Sequence, residues 1–460
     1  MQETPAAAIA ANRYGLGARP GDLAAIASDP RGWLRGQLAG PPPQLAQSGL
    51  RGSADILAEA SRIRQEKGAQ DQQRQIPRLY RPIYLREASA RLAFATTTDR
   101  PFLERLTWFW SNHFAVSVDK LAVLGVAGAC EREAIRPHVL GRFADLLLAV
   151  ERHPAMLLYL DNTSSVGPGS TLAQRLARRR SAASVGINEN LGREILELHT
   201  LGVDGGYSQA DVTAFARVLT GWSIGGGKGR LAGGEPGRFL FRPALHEPGP
   251  QRVLGQSYAQ PGVEQGEAVL QALAGHPATA RHLATKLARH FIADDPPPAA
   301  VERISRAFLA TDGDLPAVYA ALVDAPEGWE MPLGKFKTPA DQVISVFRGL
   351  QLPVASGSEA QQRAALAAFE LLGQRSWSPG SPAGWPDRAA DWNGPSALLQ
   401  RVEWADALGQ RFGTLHDARQ LAPQLLGATL GAGTRSAIAR AASPAQALTL
   451  LLAAPEFLRR

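Results

Sequence analysis

The chain has a single cysteine, Cys130, in 460 residues. One thiol excludes an internal disulfide framework and a zinc site built on cysteine. Set in an apolar helical run, Cys130 is expected to be a buried thiol. No apolar run reaches the roughly 18 residues a bilayer-crossing helix needs, so no membrane span is expected. The opening MQETPAAAIAANRYG lacks a basic start and a long apolar core, and no signal peptide is visible in it. The glycines of residues 225–234 follow no strand at the spacing of a phosphate-binding or dinucleotide fingerprint. HExxH is missing, which excludes a zincin, and a serine triad on a nucleophile elbow is not expected. No internal repeat is evident. Lysine is scarce, and arginine carries most of the positive charge.

What is present reads as globular. Hydrophobic residues make up 45% of the chain and charged residues 20%, the balance of a folded core. The formal net charge of +7 raises the expectation of an anionic partner: a polar or anionic small molecule, or a polysaccharide. Arginine is spread along the whole chain and not gathered in a patch, so nucleic acid is not expected.

Apolar residues recur at helical spacing along most of the chain. The expected fold class is all-α: one large multi-helix unit over 1–460, with a small β-hairpin flap near 236–258. Four stretches break the pattern. Residues 41–80 are polar and read as an exposed segment; 161–187 read as a basic loop containing the run at 178–180; 225–258 read as a Gly-rich β-flap with His246 near its tip. Residues 376–394 hold Trp377, Trp385 and Trp392 among prolines and glycines. Those tryptophans form either a plug over the core or a stacking surface for a flat ligand such as a sugar ring.

The densest chemistry lies in 188–222, NENLGREILELHTLGVDGGYSQADVTAFARVLTGW, read as two helices joined by a glycine turn. At roughly 100° per residue, Asn190, Glu194 and Glu197 fall on one stripe, with Leu191, Ile195 and Leu198 on a neighbouring apolar stripe. Arg193 sits beside the carboxylates, Glu189 lies further round, and His199 projects to another side. A solvated face with Arg–Glu pairs at helical spacing would look the same. The second helix has a start signal in Ser208 and Asp211, an apolar stripe of Val212, Phe215, Ala216 and Leu219, and a stop at Gly221.

Glu194, Glu197 and Glu189 are candidate acids and bases if burial separates their pKa values. His113, ending the aromatic segment Trp108–Phe109–Trp110, is either a core histidine or a further base. Asn190, Arg193, His246, Trp385 and Trp392 are candidate substrate-binding residues. Glu194, Glu197 and His199 are a candidate set for a divalent metal.

Several blocks, in this order, carry a resemblance: WFWSNHF at 108–114, NENLGREILELHTLG at 188–202, YSQADVTAFARVLTGW at 207–222, HEPGP at 246–250, KTPADQVISVFRGL at 337–350 and GWPDRAADWNGPSALLQR at 384–401. Together they resemble the bacterial domain-of-unknown-function family numbered eighteen hundred, over nearly the whole chain. The resemblance implies one long, largely helical unit and no particular reaction. Members of that family are often encoded beside a sulfatase-like family, which implies a sulfatase-like partner and exported or periplasmic work.

Two functions follow. One is a hydrolase-type enzyme that uses the Glu/His cluster, metal-assisted or by acid–base catalysis, on a carbohydrate-like or other polar substrate. The other is a non-catalytic binding or assembly protein, in which Arg193, Glu194 and Glu197 form a structural ion-pair network and the Trp-rich loop docks a partner.

Overall fold

The computed structural model describes residues 5–45, 49–178, 186–226, 233–331, 333–354 and 357–460. The central element is the helix Pro101–His113. Pro101 occupies its first position, where no amide hydrogen is needed. Phe102, Leu103, Leu106, Phe109 and Trp110 point to several sides of it and all are buried, so other helices must wrap it. The helix before it, Ala69–Thr97, passes through Pro77 and Pro82. Its first half is largely exposed and its second half enters the core. Residues 98–100 separate the two helices, and Pro101 starts the second.

Residues 41–80 are not a uniform exposed segment. They hold the helix Ser53–Glu66, which buries Ile56, Leu57 and Ala60, and then the start of the long helix. Residues 161–187 contain a 3-10 turn, Asn162–Ser164, and an exposed helix, Thr171–Arg178. Arg179 and Arg180 of the expected basic run lie outside the described residues, as do the glycines at 227–229.

The fold is all-α apart from two small antiparallel ladders. Trp222–Ile224 pairs with Phe239–Phe241, and Gln251–Val253 pairs with Gln256–Tyr258. The second ladder is a β-hairpin within the expected flap, and the first ties the start of the flap back to Trp222–Ile224. His246 follows the 3-10 turn Pro243–Leu245 between them. One contiguous apolar cluster takes in residues from Ala7 to Phe457, and a small satellite of Phe336, Trp392 and Leu458 lies under the Trp-rich loop. Cys130 is buried and free. No described helix is long and apolar enough to cross a membrane.

Candidate functional site

The acidic helix starts as expected and then changes pitch. Asn190–Glu194 is α-helical, but Ile195–His199 is a π-turn. Such a turn widens the helix and frees carbonyls from the usual ladder. Here Leu198 O accepts from His282 Nε2 at 3.1 Å, and His199 O accepts from His113 Nε2 at 3.1 Å. A carbonyl only accepts, so both Nε2 atoms carry the proton and both Nδ1 atoms keep a lone pair.

The polar residues of this helix have different surroundings. Asn190 is exposed. Glu189 accepts from Arg193 Nη2 at 3.0 Å, Gln209 Nε2 at 2.9 Å and Thr213 Oγ1 at 2.7 Å. Those bonds from Thr213 and Gln209 hold its carboxyl below the usual range. Glu189 and Arg193 thereby clasp the acidic helix to the helix Gln209–Val218, whose Ser208–Asp211 capping box is formed as the sequence indicates. Glu197 accepts from Tyr207 Oη at 3.1 Å. Glu194 is half-buried and has no hydrogen bond or ion pair among the described residues; burial, reinforced by Glu197, pushes its carboxyl up.

His199 turns away and donates through Nδ1 to buried Glu151 at 2.7 Å. The metal set Glu194, Glu197 and His199 is therefore not assembled. Among the described residues no three His, Cys, Asp or Glu side chains come together in a way that could hold a metal ion. His246 is also committed elsewhere: its Nδ1 donates to Thr220 O at 2.9 Å, and its ring packs edge-on against Phe241.

A cavity of about 330 Å³ opens on the other side of His113, beneath the Trp-rich loop. Of the residues singled out from the sequence, His113, Trp377 and Trp385 line it; the acidic helix, His246 and Trp392 do not. Trp385 is fixed by an amide clamp. Its N–H donates to Asn112 Oδ1 at 2.7 Å, and its carbonyl accepts from Asn112 Nδ2 at 2.9 Å. Glycine precedes it for a steric reason: a Cβ on Gly384, at φ +83°, would sit 2.4 Å from Asn112 O. Trp377 is buried and packs with Trp108 around the Arg91 guanidinium, which lies 3.5 Å from the Trp108 ring centre and 4.9 Å from that of Trp377. Trp392 instead donates to Pro386 O at 2.9 Å and fills the satellite cluster. The loop is thus plug and wall in different parts.

The floor of the cavity is charged. Asp341, which caps the helix Pro339–Gly349, pairs with Arg105 at 2.9 Å and Arg460 at 2.8 Å. Burial works against its charge, but the two guanidinium groups hold its carboxyl far below the usual range. Asp387 accepts from His290 Nδ1 at 2.8 Å and Arg460 Nη2 at 3.2 Å. Burial opposes this charge too, and His290, Lys335 and Arg460 outweigh it. Burial lowers the His290 imidazole to about 4 despite Asp387. It is neutral near pH 7, with Nδ1–H on Asp387 and the Nε2 lone pair unpartnered.

The helix Pro277–Phe291 supplies the remaining wall. Leu283, Ala284, Leu287, Ala288 and Phe291 face the core, and His282, Lys286, Arg289 and His290 form the polar stripe. Lys286 is half-buried and has no hydrogen bond or ion pair among the described residues; burial brings its amine down to about 8. Arg289 donates only to a carbonyl, Asp294 O at 3.2 Å, and has no carboxylate partner among the described residues. Burial, Lys286 and the neighbouring imidazoles hold His113 well below its usual value, and His282 is lowered to about 4 by burial and Lys286.

Sequence reasoning missed Lys286, Arg289, His290, Arg105, Asp341 and Asp387. The only signal was the spacing of His282, Lys286, Arg289 and His290 on one helix face, which is also that of an ordinary solvated stripe.

These features define a largely helical protein with an arginine-rich, indole-walled cavity at its centre. The model of the family described as "Protein of unknown function (DUF1800)" matches residues 9–459, and the chain belongs to that family. No curated protein and no solved structure matches it.

Proposed function

We propose that the protein is an enzyme acting on a small polar molecule that carries an acid group, bound in the cavity beneath residues 376–394. The observation that carries this reading is the pair Lys286 and Arg289: two cations on one helix face of the cavity, neither in an ion pair with a carboxylate among the described residues, although Asp387 lies near enough to favour the Lys286 charge. Like charges held together away from bulk water repel, and an anion placed between them removes that cost. The other cations of the wall are already engaged, Arg91 with Glu131 and Arg105 with Asp341. Trp385 adds a flat apolar surface beside the charge. His113 and His290 supply neutral imidazoles for proton transfer.

The test is a thermal melt with inorganic phosphate and with small mono- and dicarboxylates. At least one acid should raise the melting temperature by a few degrees, and Arg289→Gln should abolish the shift. An unchanged melt across the whole series would end the proposal.

A second reading keeps the chemistry on the acidic helix. Glu194, with its raised carboxyl and no partner, is the general acid, and Glu197, held by Tyr207, is the base. On this reading Glu194→Gln abolishes turnover of a polar substrate without lowering the melting temperature; retained turnover rejects it.

A further inference from the structure

We infer that Lys286 is a carbonyl-reactive amine that forms an imine with a small oxo acid whose carboxylate is held by Arg289. This deepens the anion-site reading and rests on it.

The described lysines differ in the company they keep. Lys335 is bound to Asp294, and Lys120 to Asp161. Lys337 is buried outside the cavity with its amine over the Phe457 ring. Among the described residues only Lys286 combines a place in the cavity wall with an amine that makes no hydrogen bond or ion pair, Asp387 acting on it only through space. An amine tied into an ion pair has no lone pair to offer; an unpaired one in a poorly solvated wall does. The lowering of this amine to about 8 agrees with that geometry.

Arg289, three residues on and on the same face, supplies the complementary part. A guanidinium stays charged at any working pH and suits a carboxylate. One cation can therefore hold the acid group while the other reacts. In a 2-oxo acid the carbonyl carbon is directly bonded to the carboxylate carbon, so the two groups can be met by cations three residues apart on one helix face.

His113 is the proton relay. It is close enough to Lys286 for the two to disfavour each other's charge. Its Nε2 is committed to His199 O and its Nδ1 has no partner. The step balances without a cofactor. The Nζ lone pair attacks the carbonyl carbon, and the C=O π pair moves to oxygen. Both Nζ protons pass in turn, through His113 Nδ1, to that oxygen. The nitrogen lone pair then expels it as water and the C=N bond is formed.

The experiment incubates the full chain with glyoxylate and sodium cyanoborohydride near neutral pH, followed by peptide mapping of the six lysines. The hydride traps the imine as a carboxymethyl amine. Lys286 should be labelled on the order of tenfold faster than Lys67 or Lys120, because far more of its amine is unprotonated. In Arg289→Gln the labelling of Lys286 by glyoxylate should fall, while its labelling by acetaldehyde, which has no carboxylate, stays the same. Labelling of Lys286 no faster than of the exposed lysines overturns the inference. If small carboxylates still raise the melting temperature in that case, the anion site survives and only the imine is rejected; if they do not, both fail.

Discussion

Asp341→Asn should lower the stability of the fold by about 3–5 kcal/mol, the usual cost of breaking a buried ion pair from one side. The carboxylate lies between Arg105 and Arg460, at 2.9 and 2.8 Å, and both guanidinium groups are fully buried. Asparagine keeps the shape and the cap on Thr338, so neither a cavity nor a lost helix start contributes. What remains is buried Arg105 facing a neutral amide, its Nη2 already without a partner, while Arg460 keeps only Asp387 at 3.2 Å. Because Arg105 and Asp341 both line the cavity, the same change should weaken any ligand stabilisation. Urea unfolding of the two proteins checks it: a loss under about 1 kcal/mol would mean that water or rearrangement solvates the arginines, contrary to the packing seen here.

Acidification from about pH 6.5 to 4 should destabilise the protein well before the aspartates protonate. His282 and His290 are lowered from 6.5 to about 4, and His113 is also lowered, in each case chiefly by burial. Between those values the unfolded chain binds protons that the folded chain refuses, so stability rises with pH. Their contribution is complete above 6.5 and is lost as pH falls through the folded values. The loss is about 3 kcal/mol for each of His282 and His290. His153 works in the opposite sense. Burial lowers it, but Cys130 and Glu133 outweigh burial and raise it to about 9, so its contribution is present below 6.5 and lost as pH rises through 9. Stability should therefore peak at about pH 6.5–7. Melting curves across the range test this, and His282→Gln should make the acid limb shallower. An acid limb that begins only below pH 4 would show that the imidazoles titrate freely.

Parts of this were legible in the sequence. The all-α class followed from helical periodicity, and the start of the helix Gln209–Val218 followed from Ser208 and Asp211, because capping is a local bond between residues three apart. His113 and Trp385 were singled out and do line the cavity. The acidic helix drew attention through its density of functional groups, yet its π-turn turned His199 inward and left Glu189 in a clasp with Arg193, Gln209 and Thr213. Nothing in a regular 100° projection foresees a change of pitch, since the wider turn is stabilised by His113 and His282, 86 and 84 residues away from the carbonyls they meet.

The sequence by itself determined which face of each helix is apolar, where helices begin, and that most of the chain is helical. Only the tertiary structure decided which polar faces meet water and which meet one another. Lys286 and Arg289 form the same stripe in either case, and the stripe became a cavity wall because Arg105, Asp341 and Asp387 arrive opposite it from distant segments. The physical reason is that periodicity records what a helix must bury against the core, while the fate of its polar side depends on packing partners that local spacing does not encode.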